Sequence, residues 1–181
     1  PSLAGQEKEV QLVVQAQMEA LGLKVDVWDP PDDELKKHPA YVPVDLSYKG
    51  RPNVVGVWRG VGGGCSLILN GHVDVVPTGP VEAWSRSPWS GHFEAGRVYG
   101  RGSCDMKAGV VTNLLVVQAL QSAGMRLKGD LIVESVVDEE TGGNGTLACI
   151  LRGYKGDGMV FTEPSGLNLV AVSNRGAQYF R

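Results

Sequence analysis

Apolar residues recur along the chain with a helical period in some stretches and as short continuous runs in others. Within residues 5–22 they return every three or four positions, with acidic side chains off that stripe, which predicts an amphipathic helix. The stripe consists of Val10, Val14, Met18 and Leu21. Residues 105–124 are apolar on nearly all sides and predict a buried helix that ends at Gly124. A shorter helix is expected over residues 144–154.

The short apolar runs predict strands, because each is bounded by glycine, proline or acidic residues. They cover residues 24–28, 53–58, 65–70, 129–137, 158–162 and 167–173. Strands that alternate with helices are typical of an α/β sandwich with a largely parallel or mixed sheet. Residues 174–181 alternate like the beginning of one more strand, so we expect the natural chain to continue beyond them.

Length and charge exclude several classes of protein. The chain has 181 residues, which suits one domain or one lobe of a larger protein. Its net charge of -3 provides no basic surface for nucleic acid. No apolar run approaches the roughly 20 residues that a membrane span needs. We therefore expect neither a nucleic-acid partner nor a membrane partner.

The three cysteines bear on the cellular compartment. Cys65, Cys104 and Cys149 are an odd number and show no CxxC spacing. This pattern favours reduced thiols over a disulfide framework, and it predicts a cytoplasmic protein.

Acidic residues and one histidine follow the predicted strands or precede the second long helix, at comparable points of successive α/β units. They are His72, Asp74, Asp105, Asp138, Glu139, Glu140 and Glu163. Several carboxylates at one edge of a sheet repel each other unless a cation compensates them. An imidazole together with carboxylates suits zinc or a neighbouring divalent metal. The pattern therefore indicates a metal site.

Each of these residues also has a simpler interpretation when it is taken alone. His72 and Asp74 face the same side of an extended segment and could only hydrogen-bond each other. Asp105 has the position of a helix N-cap. The acidic run 138–140 resembles a solvated charge run, and Glu163 an ordinary turn residue. The shared position of all of them is what favours a metal site.

Four motifs together resemble a known family. "LILNGHVDVV", "GRGSCDMKAG", "VDEETGG" and "TEPSG" occur in this order at separations that resemble those of acetylornithine deacetylase, succinyl-diaminopimelate desuccinylase, aminoacylase and carboxypeptidase G. These proteins are dinuclear zinc amide hydrolases. The resemblance implies a zinc-peptidase-like catalytic domain, an α/β fold in which a mixed, largely parallel sheet lies between two helical layers as a three-layer α/β/α sandwich.

The resemblance also implies a role for each polar residue. It assigns the ligands of two Zn²⁺ ions, or of Co²⁺ or Mn²⁺ in their place, to four side chains: His72 and Glu163 on one metal, Glu140 on the other, and Asp105 between the two. Glu139 matches the general base, and Asp74 matches the carboxylate that orients the ligand histidine. Such a centre lowers the pKa of a water molecule and polarises an amide carbonyl.

The sequence departs from the family in length and in one ligand. Family members are roughly twice as long, and carry a further histidine ligand after an inserted lid or dimerisation domain. Neither His38 nor His92, which lie in polar loops, matches it. We expect residues 1–175 to be the amino-terminal part of the catalytic domain and residues 176–181 to begin the lid. Alone, this part should be nearly inactive; the complete protein should be a homodimer.

The motifs favour hydrolysis of the amide bond of an N-acyl amino acid, as in acetylornithine deacetylase or succinyl-diaminopimelate desuccinylase. Two alternatives stay open. The same site could belong to a metallo-dipeptidase or carboxypeptidase that acts on a dipeptide. The absent histidine would also suit a non-catalytic metal-binding fragment.

Overall fold

The computed structural model describes residues 1–166 and 168–173, which form a five-stranded sheet, a two-stranded hairpin and the helices around them. The strands are β1 (Lys24–Trp28), β2 (Asn53–Trp58), β3 (Leu67–His72), β4 (His92–Glu94), β5 (Arg97–Tyr99), β6 (Leu131–Val136) and β7 (Gly158–Phe161). The helices are α1 (Lys8–Ala20), α2 (Asp32–Leu35), α3 (Lys107–Ser122) and α4 (Asn144–Arg152), with one 3₁₀ turn at Val81–Ala83.

The five-stranded sheet is mixed, as the sequence predicts. Its order is β1-β2-β6-β3-β7. β1 and β6 both run antiparallel to β2, whereas β3 runs parallel to both β6 and β7. The parallel half therefore has the carboxyl ends of β6, β3 and β7 at one edge.

Alternate residues of the strands pack on opposite sides of the sheet and give it two cores. In β6, Leu131 and Val133 belong to a core that contains Met18 of α1 and Val110 of α3. Residues of the other parity belong to a second core with Cys149 of α4: Ile132 and Val136. The sheet thus lies between two helical layers, and the predicted α/β fold is confirmed.

The prediction of a fully buried α3 is wrong for the described residues. The helix buries one face, formed by Gly109, Val110, Asn113 and Val117. On its outer face Val111 is 53% exposed and Leu115 is 52% exposed. A helix that contacts one sheet face covers only one stripe of its surface. On this outer face, Val111 lines an open pocket together with Val98 and Tyr99 of β5.

Two further differences concern strands. β3 begins two residues later than predicted and extends to His72, so that this histidine is the last residue of the strand. Residues 168–173, predicted as part of a strand, form none and are exposed, because no described strand lies beside them to pair with. Leu167 and residues 174–181 lie outside the described residues, so the predictions made for them, including the boundary at residue 175, stay predictions.

Candidate metal centre

Three parallel strands bring the predicted site residues to one edge of the sheet. His72 ends β3 and pairs with Val136, the last residue of β6. The acidic run 138–140 follows β6, and Glu163 follows β7. Asp105 lies just before α3, the helix that packs on β3. The carboxyl edge of a parallel sheet is where loops of α/β proteins form their sites.

His72 is the buried centre of this group. It is 1% exposed, and its Nδ1 lies 2.9 Å from the backbone oxygen of Asp74. With Nδ1 donating to that carbonyl, a neutral imidazole presents the lone pair of Nε2 to the loops. Nε2 is 3.2 Å from Asp105 Oδ1 and 3.6 Å from carboxylate oxygens of Glu139 and Glu163.

Asp74 contacts both His72 and the loop after β6. Its carboxylate Oδ1 is 3.5 Å from His72 Nδ1, which is longer than the contact made by its own backbone oxygen. The two carboxylate oxygens accept the backbone N–H groups of Glu139 at 3.2 Å and of Glu140 at 3.1 Å. Asp74 thus connects the histidine with the two glutamates.

The acidic run turns sharply at its first residue. Asp138 has a φ of 67°, in the left-handed region that a residue with a Cβ seldom adopts. The turn is closed by the Gly143 N–H, which donates to the Asp138 backbone oxygen at 2.6 Å. This turn lets both Glu139 and Glu140 reach the donor atoms around His72, although an extended segment would send the two side chains to opposite faces.

Two sets of side chains have donor atoms that lie within 4.8 Å of one another: His72 with Asp105 and Glu140, and His72 with Glu139 and Glu163. Imidazole nitrogen and carboxylate oxygen are common zinc ligands. The donor set therefore fits zinc. Neither His38 nor His92 belongs to either set.

Proton affinities at the site reflect the crowding of negative charge. Burial opposes the charged form of His72, but its hydrogen bond to Asp74 and the surrounding carboxylates outweigh burial and raise the pKa of His72 to about 9. Burial raises the pKa of Glu163 to about 7, against the attraction of His72 and with added repulsion from the neighbouring carboxylates. The raised pKa values of His72 and Glu163 show that this site favours positive charge, which a proton or a metal cation would supply.

No pattern in the sequence points to the residues beneath this turn. Tyr48 and Arg51 lie in a loop rich in proline and charged residues, far along the chain from the motifs, yet both are buried and contact Asp138. A pattern of apolar positions cannot find them, because their contacts depend on how a loop crosses the end of the sheet.

A family model matches the part of the chain that carries these residues. Residues 68–173, more than half of the chain, match the model of "Peptidase family M20/M25/M40". The chain belongs to this family.

Curated relatives are similar over most of the chain. The N-formyl-4-amino-5-aminomethyl-2-methylpyrimidine deformylase of Bacillus subtilis strain 168 is 35% identical over 162 residues, which cover 88% of this chain and 34% of that protein. The succinyl-diaminopimelate desuccinylase of Leptothrix cholodnii is 32% identical over 162 residues, covering 87% of this chain and 39% of that protein. The chain thus spans little more than a third of these relatives' length, less than the half expected from the resemblance.

The fold also matches solved structures. The M20 family metallo-carboxypeptidase Sso-CP2 from Sulfolobus solfataricus superposes with a TM-score of 0.69 at 21% identity, over 90% of this chain and 34% of that one. This likeness supports the fold. Among residues 1–166 and 168–173, no helix has both the length and the apolarity that crossing a bilayer demands.

Proposed function

We propose that this chain is part of a metal-dependent amidohydrolase that removes an acyl group from the nitrogen of a small molecule, such as an N-acyl amino acid. The convergence of His72 and the strand-end carboxylates on one point carries this proposal. The curated relatives support it, because the names of two of them describe a deformylase and a desuccinylase.

Four side chains are proposed to hold two divalent metals, preferably zinc: His72, Asp105, Glu140 and Glu163. Asp105, whose Oδ1 lies 3.2 Å from His72 Nε2, would contribute to both metals, as the resemblance implies. The bound metals would supply Lewis-acid polarisation of the amide carbonyl and a lowered pKa for water.

Glu139 is the proposed general base. It takes a proton from the attacking water and returns that proton to the leaving amine, so its carboxylate must lie near the metals. Burial raises its pKa, which makes it a better proton acceptor than an ordinary glutamate. Geometry alone also places Glu139 among the donor atoms, so its assignment as base rather than ligand rests on the family resemblance.

A metal held by Asp105 and Glu140 would find fewer protein ligands among the described residues than a metal held by His72, Glu163 and Asp105. A further histidine from elsewhere in the complete protein, as the resemblance implies, would finish it. We therefore propose that the complete natural protein, rather than these residues alone, is the active form.

A substrate panel tests the proposal. The intact natural protein is freed of metal by chelation, reconstituted with Zn²⁺, Co²⁺ or Mn²⁺, and offered N-formyl, N-acetyl and N-succinyl amino acids beside unmodified dipeptides. Metal-dependent release of free amine from acylated substrates, faster than from dipeptides, supports a deacylase. Faster cleavage of dipeptides would assign a peptidase instead. No release from any substrate with any metal would overturn the proposed function.

A further inference from the structure

A set of polar residues, buried except for the exposed Thr141, lies beneath the turn that carries the two adjacent glutamates and is here called the Asp138 network. It consists of Glu7, Tyr48, Arg51, Asp138, Thr141 and Asn144. Besides Asp138, four members are almost completely buried, and they come from three separate parts of the chain: Glu7, Tyr48 with Arg51, and Asn144. The network therefore joins distant segments at one point.

Asp138 is the acceptor at the centre of the network. It is 1% exposed. Its Oδ2 accepts the Tyr48 hydroxyl at 2.5 Å and the Asn144 amide at 3.2 Å. Its Oδ1 accepts the Thr141 hydroxyl and lies 3.5 Å from Arg51 Nη2. A buried carboxylate is costly unless it is paired and hydrogen-bonded, and here both oxygens are satisfied.

The other end of the network is held by an ion pair. Arg51 donates to Glu7 through Nε, at 3.1 Å to each carboxylate oxygen, and through Nη2 at 2.6 Å. Glu7 immediately precedes α1, so the first helix is tied to the loop of Tyr48 and Arg51. Asn144, which begins α4, also donates to the Tyr48 hydroxyl at 2.8 Å. Three elements thus support the Asp138 side chain.

The hydrogen bonds of the Asp138 network hold the backbone of Asp138 in an unusual conformation. Its left-handed φ of 67° would suit glycine better than a residue with a Cβ. The side-chain contacts hold this conformation in place, and the next two residues leave the turn in the directions that point Glu139 at His72 and Glu140 toward Asp105.

We propose that Asp138 is a positioning residue, held by its network, that fixes the separate directions of the general base and of a metal ligand. This inference rests on the proposed function for the roles of Glu139 and Glu140. It concerns the directions in which the side chains of Glu139 and Glu140 point, and it assigns no contact between Asp138 and substrate or metal.

The test replaces Asp138 by asparagine in the intact protein. Asp26→Asn is the matched control, because Asp26 also accepts an arginine and a tyrosine hydroxyl, from Arg152 at 2.8 Å and Tyr154 at 2.8 Å, but lies on β1 away from the site. For Asp138→Asn we expect kcat to fall about 10- to 100-fold with KM changed less than about twofold, and the weaker of the two zinc affinities to fall about 10- to 100-fold. Asp26→Asn should change none of these.

A second variant keeps the test decisive if Asp138→Asn does not fold. Tyr48→Phe removes one donor and leaves the carboxylate, and should lower kcat and the weaker zinc affinity in the same direction by a smaller factor. Wild-type kcat and zinc affinities in the folded variants, or equal losses in Asp26→Asn, would overturn the inference. If the wild-type protein hydrolyses nothing, the proposed function fails, while zinc titration of the same variants still decides whether Asp138 aims the glutamates.

Discussion

His72 Nε2 lies 3.2 Å from Asp105 Oδ1, so the end of β3 meets the start of α3 across 33 residues of chain. Both atoms are metal-donor atoms, and both are positioned by secondary structure rather than by loops alone. A site built in this way has its donors close together before a metal arrives, which lowers the cost of ordering them on binding.

Removal of the central imidazole should weaken metal binding. We expect His72→Gln to lower the affinity of the tighter zinc site at least about 100-fold, because it replaces a ligand at the centre of both donor sets. His92→Gln is the matched control, because His92 lies on the hairpin outside both sets. Isothermal titration with zinc measures both variants, and equal affinities for the two would contradict the assignment.

The proposed base should be separable from the ligands. Glu139→Gln keeps the size of the side chain but removes its ability to accept a proton, so kcat should fall at least about 100-fold. Bound zinc, measured by atomic absorption, should stay at the wild-type level. Loss of zinc together with activity would make Glu139 a ligand, and full activity would remove it from the mechanism.

Zinc affinity should depend on pH in a defined direction. The pKa of His72 is raised to about 9 and that of Glu163 to about 7, so zinc must displace a proton from each below those values. Affinity should therefore rise about tenfold per pH unit from pH 7 to 9, and about 100-fold per unit below pH 7. Both raised pKa values mean that the folded protein binds these protons more tightly than the unfolded chain does. The zinc-free protein should therefore lose stability as pH rises, through Glu163 up to about pH 7 and through His72 up to about pH 9.

Titrations in two buffers of different ionisation enthalpy measure the protons released when zinc binds to His72 and Glu163. About two protons at pH 6 and about one at pH 8 are expected. An affinity that does not change between pH 6 and 9 would show that His72 and Glu163 are not displaced by the metal.

Gly145 lies where α4 packs against the end of β6, and there is no space for an added side-chain atom at this position. A Cβ at this position would lie 2.0 Å from the backbone oxygen of Val137, which cannot move without shifting the strand end. Gly145→Ala should lower the free energy of unfolding by about 1–3 kcal/mol. Gly158→Ala is the control, since the nearest atom to its Cβ is Leu67 Cδ1 at 3.6 Å. Urea denaturation compares the two, and equal stabilities would contradict the close packing.

The sequence predicted most of the sheet because its strands are short apolar runs with clear boundaries. It predicted α1 from a single apolar stripe, and the structure buries Val14 and Met18 as that stripe requires. It overestimated the burial of α3, because apolar composition does not say whether a neighbouring element covers a helix face. It did not predict the hairpin of β4 and β5, whose residues are mostly exposed and carry little apolar signal.

The candidate site was predictable in its members but not in its support. His72, Asp105 and Glu163 follow strands or precede a helix, and that position is visible in the sequence. Asp74 accepts hydrogen bonds from the loop after β6, and Tyr48 donates one to Asp138; these contacts join residues that are distant along the chain. Only the folded arrangement shows which loop crosses which strand end.

The most direct test of a metal-dependent amidohydrolase measures amine release by the intact protein from its best acylated substrate, with the protein in three states. These are the protein as purified, after removal of metal by a chelator, and after return of zinc. We expect activity to disappear with the metal and to return with two zinc ions per chain. Unchanged activity in the chelated protein, with zinc shown to be absent, would contradict it.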